Sequence, residues 1–82
     1  MIRVRLAEIL REGVGESITV DEPVQSIGEL IPILERRVPR YTRENDEIIN
    51  FAVNGAMILH NEKGVALKSG DEVELLVAFS GG

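Results

Sequence analysis

The side chains that could do chemistry in this sequence are few. Asp71, Glu72 and Glu74 set three carboxylates close together, the raw material of acid–base work. His60 is the one imidazole. The last candidate needs no reactive side chain: "VAFSGG", Val77 to Gly82, runs an apolar strand pattern into Ser80, Gly81 and Gly82, whose carboxylate is then the functional group. Residues without a Cβ thread narrow channels and adopt backbone angles that others avoid. A Gly-Gly end is therefore either a frayed tail or a lead that delivers one carboxylate into a partner's site. The strand pattern upstream favours the lead.

The other candidates fall away on chemistry. His60 has no second His and no Cys to complete a metal site, so it reads as a surface strand residue and no metal is expected. Glu72 and Glu74, beside Asp71, flank the start of a strand, where acidic residues keep a surface soluble. No nucleophile with a positioned base is visible, so the chain is not expected to be an enzyme in its own right. "GVG" at 13 to 15 lacks the remaining glycines and the lysine of a phosphate loop and reads as a turn. With no cysteine, disulfides, thiolate metal sites and Cys nucleophiles are excluded together.

A chain of 82 residues holds one domain with a modest core. Its net charge of -5 argues against nucleic acid, whose phosphates reward clustered Lys and Arg. "MIRVRLAEIL" carries early charges instead of the apolar run of a signal peptide, and no segment approaches bilayer-spanning length. A soluble, cytoplasmic protein with no membrane partner is expected.

The elements that must position the tail follow from periodicity. "IRVRL" alternates Ile2, Val4 and Leu6 with Arg3 and Arg5, a strand with one buried face. "AEILREGVG" allows a short helical turn through Ile9, Leu10 and Val14, broken at Gly13 and Gly15. "SITVDEP" alternates again, with Ile18 and Val20 inward and Pro23 closing it. The clearest helix is "SIGELIPILERRV", 26 to 38, with Ile27, Leu30, Ile31, Leu34 and Val38 on one stripe. Ser26 and Glu29 form a capping box, Pro32 is expected to kink the helix, and Pro39 fits a stop. "IINFAVNG" is a third strand ending on a hairpin signal at Asn54-Gly55, and "AMILH" returns as a fourth. Turn-rich stretches around Gly64 and Gly70 lead to the last strand, "EVELLVAF", 72 to 79. It is apolar on both faces and so expected to be central and parallel to a neighbour. The order β-β-α-β-β-β gives an α+β fold of the β-grasp, ubiquitin-like type: a mixed sheet of four to five strands with one main helix on one face. The division is a domain over 1–79 and a flexible Gly-Gly tail over 80–82.

In that order, "LREGVG", "SIGELIPILERRVP", "FAVNG", "SGDEVELL" and the closing "SGG" resemble the small sulfur-carrier proteins of the β-grasp family. The resemblance is to the small subunit of molybdopterin synthase and, more distantly, to the thiamin-biosynthesis carrier. It departs from the molybdopterin type at Val77 and Ala78, where those carriers commonly place a Pro-Pro pair. It implies that an ATP-dependent adenylating enzyme activates the carboxylate of Gly82, which becomes a thiocarboxylate and donates its sulfur, most naturally in molybdopterin biosynthesis. Ser80 and Gly81 would line the partner's channel with it. The partners would be that enzyme and a larger synthase subunit, with ATP used by the partner and no cofactor bound by this chain. Without cysteine it has no persulfide route. The same activated carboxylate would also serve a ubiquitin-like modifier joined to lysines, and a plain β-grasp binding module with an inert tail is the third reading.

Docking should use the sheet face away from the helix. Period-two arithmetic sets Val73, Leu75 and Val77 inward and Leu76 and Ala78 outward beside the tail. Leu76 is then a partner contact or is covered by its own strand neighbours. Phe79 is the last core residue or the first docking residue, and Met57 and Ile58 are further candidates near the hairpin. Arg36, Arg37, Arg40 and Arg43 form a basic cluster, read as a solvated helix end that suits the dipole in preference to a contact with an acidic partner.

Overall fold

The computed structural model describes residues 1–42, 48–58 and 62–77. Five strands form one sheet: β1 (Ile2–Arg5), β2 (Ser17–Val20), β3 (Ile49–Val53), β4 (Ala56–Ile58) and β5 (Glu72–Val77), in the spatial order β2-β1-β5-β3-β4. Only β1 and β5 run parallel, with Arg3 opposite Glu72 and Arg5 opposite Glu74, and the other pairs are antiparallel. β5 lies in the middle of the sheet, as expected, although its outer face carries Glu72 and Glu74 and only Leu76 is apolar there. The one α-helix among the described residues, α1 (Ile27–Arg37), follows β2.

Alternation in the strands supplies the core. Ile2, Val4 and Leu6 are buried while Arg3 and Arg5 are exposed, and Ile18 and Val20 continue the same face on β2. They join Phe51, Val73 and Leu75 from the central strands and Ile27, Leu30, Ile33 and Leu34 from α1 in one cluster. Leu10, in a 3-10 turn over Glu8–Leu10, closes it, while Ile9 points outward. Each fully buried aliphatic or aromatic side chain contributes on the order of 1.5–3 kcal/mol. That is how a chain of this size stays folded.

Local signals fix the ends. Ser26 Oγ accepts the Glu29 N–H at 3.2 Å, as the capping box requires, but Glu29 Oε1 reaches one residue further back than expected, to the Gln25 N–H at 2.9 Å. Asn54 and Gly55 both take positive φ, +51° and +87°, the left-handed pair that a two-residue hairpin needs. Pro32, expected to kink the helix, sits on its exposed side, and α1 runs without interruption from Ile27 to Arg37. Gly28 lies where α1 meets a second 3-10 turn, Glu62–Gly64, and a Cβ there would be 2.9 Å from the Lys63 carbonyl oxygen.

Three expectations need correction. The helix is rolled toward Ile33, which is buried, and Ile31 is only half-buried. The stripe is wide enough for either residue to flank it, so the sheet decides. Ile58 pairs with Phe51 and packs against the core, because period two puts it on the face opposite Met57.

Asp71 is the third. It is 7% exposed, not a solubilising surface carboxylate. Its Oδ2 accepts the Lys68 N–H at 2.9 Å and its Oδ1 accepts Asn54 Nδ2–H at 3.0 Å, while Asn54 Oδ1 accepts the Glu72 N–H at 2.9 Å. The hairpin and the start of β5 are tied through one carboxylate. The Lys68 backbone bond, then the Asn54 amide, hold the Asp71 carboxyl below the usual aspartate range, against the opposing pull of burial. A depressed folded pKa contributes stability that is complete above the unfolded pKa and lost as pH falls through the folded one. Asn54→Gly keeps the left-handed turn and removes both side-chain bonds. It should lower the melting temperature at neutral pH and flatten the acid limb of stability against pH, while an NMR titration shows the Asp71 pKa moving up. An unchanged titration would refute the assignment.

Candidate functional site

The sheet face opposite α1 collects the residues that could meet a partner. Register places Leu76 opposite Asn50, and Ala52 between Glu74 on one side and Met57 on the other. Leu76 and Met57 are therefore diagonal neighbours on either side of β3: Asn50 lies opposite Leu76, and Glu74 faces Met57 across the buried Ala52. Met57 is 48% exposed, Leu76 is half-buried, and Asn50 Nδ2 lies 3.9 Å from Met57 Sδ. The outcome for Leu76 lies between the two readings: strand neighbours cover part of it and leave the rest on the outer face. Asn50 and Ala52 were not anticipated. Their signal was the small and polar residues interleaved with Ile49, Phe51 and Val53, but only the β3–β5 register reveals that they adjoin Leu76.

Charge borders this apolar strip. Arg3 and Arg5 stand on the same face beside Glu72 and Glu74, and neither arginine has an ion pair among the described residues. Both are exposed.

At the end of the sheet where β5 leaves it, the β1–β5 ladder stops at Arg5 and Glu74, while β5 continues to Val77. The Leu6 N–H turns instead to the Glu16 carbonyl at 2.9 Å. The gap is an open groove of about 280 Å³ lined by Arg5, Leu6, Glu8, Arg11, Leu76 and Val77. Arg11 is held in it by a 3.0 Å bond from its Nε to the Leu6 carbonyl. A groove of about 470 Å³ at the far end, by Met1 and Lys68, is remote from Val77.

Of the remaining expected site residues, Ala78, Phe79, Ser80, Gly81 and Gly82 lie outside the described residues, as do His60 and Arg43. Among the described residues no group of His, Cys, Asp or Glu could hold a metal ion, and no helix is long and apolar enough to cross a membrane. The helix-end arginines are paired inside the chain. Arg36 meets Glu22 at 2.7 Å, Arg40 meets Glu12 at 2.8 Å and Arg37 donates to the Thr19 carbonyl at 2.9 Å. They clasp α1 and its exit to the β1–β2 end of the molecule.

A mixed five-strand sheet with parallel neighbours β1 and β5 at its centre and one α-helix among the described residues is the β-grasp, ubiquitin-like fold. The chain belongs to the ThiS family, which matches residues 4–82. Among solved structures, a chain of the Helicobacter pylori complex of molybdopterin-converting factor subunits 1 and 2 is similar, at 23% identity and TM-score 0.70, covering 99% of this chain and 97% of that one. The HVO 2177 protein of Haloferax volcanii gives 25% identity and TM-score 0.73, over 99% and 85% of the two chains. SAMP1 from Haloferax volcanii gives 23% and 0.68, over 99% and 98%. No curated protein matches.

Proposed function

We propose that this chain is a sulfur carrier, not itself a catalyst, loaded at Gly82. In an adenylating partner the Gly82 carboxylate attacks the α-phosphorus of ATP and expels pyrophosphate. Hydrosulfide released by the loading system then attacks the acyl carbon, AMP leaves, and a C–S bond replaces the C–O bond to phosphate. In a larger synthase subunit the thiocarboxylate sulfur next attacks a precursor of molybdopterin, and water cleaves the resulting acyl–sulfur bond, leaving sulfur on the precursor and restoring the Gly82 carboxylate. Both encounters would occur in the cytoplasm. ATP belongs to the partner, and no cofactor is bound by this chain.

The observation that carries this reading is the family match over residues 4–82, which includes the Ser80-Gly81-Gly82 run, three to five positions beyond the end of central strand β5 at Val77. Gly82 is five positions beyond Val77, so the tail reaches at most about 17 Å from the sheet. A partner must therefore seat the domain close to its active centre, and the Leu76–Met57 strip is the surface beside the root of the tail. The fold shared with the Helicobacter pylori chain supports molybdopterin as the destination, and a larger subunit as the second partner.

Intact-mass spectrometry of the protein from its own cells tests the proposal. A fraction of chains should carry one sulfur in place of one oxygen, localised to Gly82 by fragmentation. Larger covalent adducts cleaved by isopeptidases, with no thiocarboxylate, would refute carriage in favour of a lysine-joined modifier.

A further inference from the structure

The sheet has two outer edges, β2 and β4. Leu6 N–H bonds to the Glu16 carbonyl, and β1–β2 register then alternates. Ile18 and Val20 turn their backbone groups toward β1, and Ser17 and Thr19 turn theirs away. An edge that shows unpaired N–H and C=O groups is a template for another strand, and proteins blunt it with charge, proline, bulges or a covering element. "SITV" has no charge, no proline and three β-branched residues. Its guard comes from elsewhere: Arg37, in the last turn of α1, donates Nη1–H to the outward Thr19 carbonyl at 2.9 Å, with Glu22 4.0 Å away. Glu22 is itself held by Arg36 at 2.7 Å.

We propose that the outer edge of β2 is a latent self-association surface whose partner is a second copy of this chain, and that Arg37 keeps it closed. The strand is complementary to itself. In an antiparallel two-fold pairing centred on Ile18, Ser17 of each copy lies opposite Thr19 of the other, and both outward pairs can exchange bonds. Glu16 then faces Val20, and Asp21 faces Gly15, so no like charges meet directly. The two-fold axis stands perpendicular to the sheet, so both helices lie on one side and the sheet continues to ten strands, twice the five of one copy. While Arg37 occupies the Thr19 carbonyl, one acceptor of each pair is taken and a guanidinium stands in the incoming strand's path. The carrier then stays single and its β5 end remains available to partners.

Sedimentation of the full chain reads this directly. The wild type should sediment as a 9.0 kDa monomer. Arg37→Ala frees two carbonyls per pair of chains, and the association constant should rise by roughly tenfold or more. The mass should double reversibly with concentration, more readily at high salt, because each copy carries -5. Hydrogen exchange should show the Ser17 and Thr19 amides protected in the dimer. Ser17→Lys added to Arg37→Ala places a charge on the edge itself and should restore the monomer. If Arg37→Ala loses the fold by circular dichroism, Arg37→Met keeps the packed stem without the donor and is read in its place. A folded Arg37 variant that stays monomeric overturns the proposal. So does a dimer that Ser17→Lys does not dissolve, or a wild type already paired through β2.

Discussion

Removal of Gly82 alone should abolish loading, with no pyrophosphate exchange into ATP in the activating enzyme and no thiocarboxylate, and should leave the melting temperature unchanged. Loss should be total, because the deletion moves the only carboxylate of the tail back by one residue, about 3.3 to 3.6 Å of chain. Near-attack geometry tolerates far less: a misplacement of about 1 Å can cost about a hundredfold. Stability is spared because the described core ends with Leu75 and the partly buried Val77. Gly82→Ala separates reach from shape: the carboxylate keeps its distance but gains a Cβ. It should retain partner binding and lose most of its exchange rate. Full loading of the truncated chain would refute the carrier mechanism at Gly82, whatever the domain binds.

The fold was legible because its elements carry their own periods. Ile2, Val4 and Leu6 alternate, Ser26 and Glu29 start a helix, and Asn54-Gly55 can close only a hairpin of one hand. What escaped was set by contacts between distant parts of the chain. Asp71 looked like one of a run of surface carboxylates because nothing near it announces Asn54, 17 positions earlier, as its partner. Arg37 looked like a solvated helix end because Thr19, 18 positions away, reaches it only after β2 folds beside α1. Ile58 was misplaced for a simpler reason: next to Met57 in sequence, it has to lie on the other face of a strand. In the site, Leu76 was legible from the parity of β5, whereas Asn50 and Ala52 needed the register of β3. Gly82 lies outside the described residues, and its role is proposed from the uncharged Gly-Gly lead, the cysteine-free chain and the family match.

Leu76→Arg should weaken binding to the activating enzyme or the synthase subunit by at least about thirtyfold, equivalent to about 2 kcal/mol, the scale of an interface hot spot. The large effect comes from the partner side of the contact. A guanidinium set against a surface shaped for Leu76 and Met57 must be desolvated without a counter-charge, and that penalty exceeds the lost apolar area. Glu74, two positions away on the same strand face, can pair with the new arginine in the free chain and would have to release it on docking. In the free domain the cost is small, because Leu76 is half-exposed and its cross-strand neighbour is Asn50, not a core residue. The melting temperature should fall by no more than about 4–8 °C, the shift of about 1 kcal/mol in a domain of this size. Met57→Arg should act in the same direction and more weakly, since Met57 sits on edge strand β4, two strands from β5 and the root of the tail. Calorimetry against the isolated partner and thermal melts of the free domain separate the alternatives. Global unfolding by Leu76→Arg would place Leu76 in the core. A folded variant that binds as the wild type does would move the docking surface to the Arg5–Arg11 groove beside Val77, where Arg11→Glu becomes the decisive substitution.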